Sequence, residues 1–180
     1  EFWDKAVANR PILTQEMIAF AEESLNVKLP QLFIDLLKVQ NGGYTNGFAF
    51  PIMQQTSWSA NHVPLFELFG IITEKSIVEW QNSWNEKKKL NFYVEDKSIE
   101  VVQNILETNY MTKEWGLPEK QVLLTGEGHW WITLDYRGGD TPTVRWIDIE
   151  CGEDLHLANS FDEFINGLVS DEEYGDDDAK

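Results

Sequence analysis

The chain has 180 residues, 42% hydrophobic and 13% aromatic, which suits one globular domain and argues against disorder. It carries 31 acidic and 14 basic residues, a formal charge of -17, and no basic stripe, so its field repels phosphate and excludes direct nucleic-acid binding. Cys151 is the only cysteine, which excludes an internal disulfide and a thiolate zinc site, and no apolar run reaches the roughly 18–20 residues of a membrane span. The opening Glu1-Phe2-Trp3-Asp4-Lys5 lacks the basic flank and apolar core of a signal peptide, so a cytoplasmic protein is expected.

Thr14 is a candidate N-cap for a helix over residues 14–27, with Met17, Phe20, Ala21, Ser24 and Leu25 at helical spacing. Pro30 suits the first turn of a second helix carrying Leu32, Phe33, Leu36, Leu37 and Val39 on an apolar face. Asn41-Gly42-Gly43 ends it, since both residue types tolerate the left-handed conformation. Phe48 to Pro51 reads as a short strand, residues 54–62 as a polar loop containing Trp58, and residues 63–72 as a buried strand. Thr73 caps a helix through Ile77, Trp80 and Trp84 to the lysines 87–89. A further helix is expected from Ser98, with Val101, Val102, Ile105 and Leu106 inward.

The period then changes. Residues 121–125 form a strand, Gly126-Glu127-Gly128 a turn, and residues 130–136 a strand whose Trp130, Ile132, Leu134 and Tyr136 alternate with Trp131, Thr133 and Asp135. Arg137 to Asp140 turns the chain into a strand at 144–149. Ser160 with Glu163 has the spacing of a capping box, opening a last helix through Phe161, Phe164, Ile165 and Leu168. Helices first and strands after argue for one α+β domain over residues 1–170, an antiparallel meander flanked by helices. Residues 171–180 hold six acids and one Lys, a net -5 that leaves -12 on the rest, and are expected to be a mobile tail.

Catalytic groups are sparse. His62, His129 and His156 fall in no metal-binding spacing, and Cys151 has no orienting partner evident in the sequence, so no catalytic residue, metal or cofactor is assigned. Glu127, Asp135, Asp140, Asp148 and Glu150 cluster in the meander. They read either as a solvated face or as an acidic docking face, and an enzyme using them would need a concave pocket with perturbed carboxylates. Trp58, Trp80 and Trp84 lie in polar surroundings, and Trp is a frequent interface anchor. Trp58, Trp80, Trp84, Glu127, Asp135 and Asp140 are therefore the candidate protein-binding residues.

Leu29-Pro30, an apolar helix and Asn41-Gly42-Gly43 resemble the N-terminal signature of the SUKH superfamily, which includes the yeast Smi/Knr cell-wall synthesis regulators. Phe69-Gly70-Ile71, the strand from Gly128 to Asp135-Tyr136, the strand 144–150 and Leu157 to Phe164 are similar to its later segments, whereas residues 75–119 match poorly. The resemblance implies an α+β fold without catalytic residues. For bacterial members it implies immunity proteins of polymorphic toxin systems, which bind and neutralise a cognate toxin, commonly a nuclease. For yeast members it implies regulatory adaptors of cell-wall signalling. A basic nuclease domain is the partner that an acidic inhibitor would be steered towards.

Overall fold

The structure is a computed structural model that describes residues 1–5, 10–88 and 104–175, with side chains of the first long segment described to residue 83. Its first helix, α1 (Gln15–Leu25), starts where Thr14 accepts a hydrogen bond from the Met17 N–H and ends at Asn26, left-handed at φ 52°. The helix is rotated from the expected face: Met17, Ile18 and Ala21 are buried, while Phe20 is exposed. In α2 (Gln31–Val39) Pro30 takes the N-cap position rather than the first turn, and Phe33, Ile34 and Leu37 are buried while Val39 is exposed. The corner between the helices is tied by the Glu22 carboxylate, which accepts the Leu29 N–H at 2.8 Å.

Asn41-Gly42-Gly43 does more than stop α2. Gly42 and Gly43 have φ of 82° and 113°, and a Cβ on Gly42 would lie 2.5 Å from the Gly70 nitrogen. A Cβ on Gly70 would lie 2.2 Å from the Asn41 carbonyl oxygen. Two backbones therefore cross where only glycine fits. The buried Asn41 amide donates to the Ile71 carbonyl at 2.7 Å and accepts the Ile71 N–H at 2.8 Å. Asn104 does the same for Ile72, at 2.7 and 3.2 Å. Two asparagine side chains thus replace a neighbouring strand and satisfy consecutive buried peptide groups.

The chain then builds two antiparallel sheets. β1 (Gly43–Pro51), β2 (His62–Leu68) and β7 (Val169–Ser170) form the first, in the order β2-β1-β7. β3 (Gln121–Gly126), β4 (Trp130–Asp135), β5 (Thr143–Asp148) and β6 (Glu153–Ala158) form the second as a meander. The Phe69 N–H donates to the Leu124 carbonyl at 2.7 Å and joins the two. The expected strand at 63–72 stops at Leu68, because Ile71 and Ile72 are held by the asparagine pair and the Gly70 carbonyl accepts the Ile105 N–H. β6 lay hidden behind Glu153 and Asp154; its half-buried Glu153, Leu155 and Leu157 alternate with exposed Asp154 and His156.

Both faces of β4 are covered, although its sequence alternates. Trp130 stacks on Trp146 at 4.7 Å on one side, and Trp131 meets Trp115 of α4 (Thr108–Trp115) at 5.8 Å on the other. That helix, preceded by a 3₁₀ turn at Ile105–Glu107, was not visible in the sequence. Of the helix expected from Ser98, Val101 and Val102 lie outside the described residues, whereas Ile105 is buried and Leu106 half-buried as expected, but in the 3₁₀ turn. Upstream, Thr73 and Ser76 cap α3 (Glu74–Lys88) reciprocally.

α5 (Phe161–Asn166) starts at Ser160, which accepts the Glu163 N–H at 3.1 Å, while the Glu163 carboxylate accepts the Asn159 N–H at 2.9 Å. It packs on β5 and β6 and sets Phe161 edge-to-face against Phe33. After β7, Asp171–Tyr174 form a 3₁₀ turn against β1, with the Tyr174 ring stacked on His62 at 4.0 Å. This stretch of the acidic tail is docked, and residues 176–180 lie outside the described part. The whole is one α+β domain.

Candidate functional site

The tryptophan that sequence singles out in the first loop is held in place by a chain of short contacts. Residues 52–61 connect β1 to β2, and buried Thr56 folds them into a turn: its hydroxyl accepts the Trp58 and Ser59 N–H groups, and its own N–H donates to the Ser59 carbonyl at 2.9 Å. Thr and Ser favour such local turns because their hydroxyls reach the backbone two residues on. Ser57 then donates to the Asp148 carboxylate at 2.5 Å, bridging from the loop to the end of β5.

Asp148 is fully buried and accepts two further hydrogen bonds, from the Cys151 N–H at 3.0 Å and from His129 Nδ1 at 3.2 Å. Burial pushes its pKa up, but the bonds from Ser57, Cys151 and His129 outweigh that and hold the carboxyl below its ordinary value. Glu150 lies 3.9 Å from the same His129 nitrogen.

Serine, histidine and aspartate are thus together, yet not in a catalytic order. The hydroxyl and the imidazole both contact the same oxygen of Asp148. An activated serine needs the imidazole as its base. The Cys151 thiol is pushed above its ordinary value, by desolvation and then by the Asp148 carboxylate, which disfavours the thiolate nucleophile. The cluster anchors a loop.

What the anchored loop presents is aromatic. Trp58 is 37% exposed and meets Trp130 edge-on at 5.5 Å and Phe66 of β2 at 6.1 Å. Phe66 is 39% exposed, so the two rings form an apolar ridge. Behind it Trp130 stacks on Trp146, whose indole N–H donates to Glu153 at 2.7 Å. Glu127, exposed in the β3–β4 turn, donates its N–H to the Trp130 carbonyl at 3.2 Å and so stands at the same end of the sheet.

The other candidates are elsewhere. Asp140 is exposed in the β4–β5 turn, at the far end of β4 from Glu127, about 20 Å away for a six-residue strand. Asp135 is only 8% exposed. It accepts from Gln121 at 2.8 Å and from Arg137 Nε at 2.9 Å; burial raises its pKa, but these bonds lower it further. Arg137 and Arg145 both also hold Asp154, at 2.9 and 2.5 Å. Two arginines are thereby neutralised on the β4–β6 face. Trp80 is half-buried on α3, facing a groove shared with Arg10, Ile12 and Phe20. The Trp84 side chain lies outside the described part.

Structure therefore unites Trp58 with Glu127, separates Trp80 and Asp140 from them, and engages Asp135 internally. The meander carboxylates do not converge on one pocket. Phe66 and Ser57 were missed by sequence reasoning. The run Thr56-Ser57-Trp58-Ser59 carried a turn signal, but Phe66 sits in an apolar strand where nothing marks it as exposed. Among the described residues no group of His, Cys, Asp and Glu is placed to hold a metal ion, and no helix is long and apolar enough to cross a membrane.

No curated protein matches the chain. The model of the SMI1 / KNR4 family (SUKH-1) matches residues 12–167, from the approach to α1 through α5, and the two-sheet α+β architecture agrees with what the resemblance implied. The chain belongs to the SMI1 / KNR4 family (SUKH-1).

Proposed function

We propose that this protein is an immunity protein of a bacterial polymorphic toxin system, a cytoplasmic binding protein and not an enzyme, that neutralises a cognate toxin through an acidic surface. Family membership supports a binding role of the immunity type. The observation that carries the reading further is an exposed aromatic ridge on a pinned loop, in a chain of net charge -17. A preorganised aromatic anchor loses little entropy on binding, which is what a tight inhibitor requires. Residues 146–175 hold nine acids and no Lys or Arg, so the field along this stretch, from the end of the second sheet back to β1, favours a basic partner. A nuclease domain is such a partner, because its active site must attract phosphate. Trp58 and Glu127 are proposed contacts. Trp80 and Asp140 belong to other parts of the molecule, and Asp135 acts by holding Arg137.

Co-expression with the toxin encoded beside its gene tests the reading. Survival with a co-purifying complex is expected. Death without a complex overturns it in favour of a regulatory adaptor, the role of the yeast relatives.

A further inference from the structure

Three segments meet at the Trp58 end of the molecule: the loop and strand 52–68, the turn 126–130 and the turn 148–152. Contacts between Trp58 and Trp130, between Ser57 and Asp148 and between His129 and Glu150 bring them together. They contain Glu67, Glu127, Asp148 and Glu150, and not one Lys or Arg. Their centre is apolar, with Trp58 and Phe66 exposed side by side. Lys38 and Lys75 are the nearest basic residues in sequence to the loop, and Arg137 and Arg145 are held by Asp135 and Asp154.

We propose that this end is the docking face, and that its occupant is a protruding basic segment of the partner protein, whose Lys or Arg side chain lies along the Trp58–Phe66 ridge. The aliphatic stem of such a side chain packs on the rings while its charged head reaches Glu127 or Glu150. Both carboxylates are exposed, so the head need not be stripped of all its water. The loop's fixed geometry matters because Ser57 and Thr56 hold Trp58 before the partner arrives. The proposal rests on the toxin-binding reading above.

The test uses the full chain and the adjacent toxin domain, inactivated in its own active site, with association and dissociation rates read by surface plasmon resonance. Trp58→Ala is expected to raise the dissociation rate by about 30-fold, the loss of one interface hot spot. Because Trp58 also covers Trp130, the surface double variant Glu127→Lys/Glu150→Lys is run beside it. It is expected to slow association by tenfold or more at low salt, an effect that shrinks as ionic strength rises. Asp140→Lys, at the far end of β4, is expected to change neither rate by more than about twofold, since a distant rim charge contributes little. If the wild type binds and the double variant binds equally well, the docking face is wrong and the immunity reading stands. If the wild type fails to bind, both are overturned.

Discussion

Replacing Asp148 by Ala tests whether one buried carboxylate holds the Trp58 loop. The substitution removes the acceptor for the Ser57 hydroxyl, the Cys151 N–H and His129 Nδ1. Hydrogen bonds to a charged group contribute about 1.5–3 kcal/mol each, but Ser57 is exposed and His129 half-exposed, and both regain water when released. The Cys151 N–H, in a part-buried bond at an exposed residue, regains part of it as well. A net loss of about 3 kcal/mol follows, with each of the three part-buried bonds discounted to about 1 kcal/mol. For a domain of this size that lowers the melting temperature by about 6–12 °C. Scanning fluorimetry measures the shift, and hydrogen exchange locates it. Amides of Thr56, Trp58 and Ser59 are expected to exchange faster while those of β4 keep most of their protection, because the loop opens locally before the sheet does. A melting temperature within 1 °C of wild type by this same scale, with unchanged exchange in the loop, would refute the anchoring role of Asp148.

Three further outcomes are expected. Gly70→Ala drives a Cβ into the Asn41 carbonyl, whose backbone cannot move aside, and costs about 3 kcal/mol or more in urea unfolding; a loss under about 1 kcal/mol contradicts the crossing described. Asp148 has a folded pKa below its ordinary value, so the unfolded chain takes up the proton first. Its contribution is complete above the unfolded value of about 3.9 and lost as pH falls below that towards the folded value. The stability gap between wild type and Asp148→Asn therefore narrows on acidification, and a gap constant between about pH 5 and pH 2 refutes the linkage. Tyr174→Ala removes the stack on His62, costs about 0.5–1.5 kcal/mol, and speeds exchange in Val169 and Ser170 while sparing β4; no change in either would mean the turn is not docked there.

Much of the fold was written locally. Thr14, Ser160 with Glu163, and Thr73 mark three helix starts, because a side chain that caps an orphan N–H acts within four residues. The meander strands β3 to β5 were legible from their two-residue period and their glycine turns. β6 was not, since an edge strand needs only one buried side and its charged residues masked the alternation. Helix rotation also escaped: Phe20 and Ile18 are equally apolar, and only the packing of α1 decided which was buried.

For the candidate site the division is sharper. Sequence by itself determined the acidity, the single cysteine, the asparagine–glycine signature and the supply of spare tryptophans. It also placed Trp58 in a loop and Glu127 in a turn. Only the tertiary structure decided that these two share one end of the molecule, that Asp135 is turned inward onto Arg137 and Gln121, and that Asp148 grips Ser57 across 91 residues of chain. Composition and capping are properties of neighbours in sequence. Exposure, ion pairing and the meeting of distant loops depend on which faces the two sheets bury, and that is settled only when the whole chain packs.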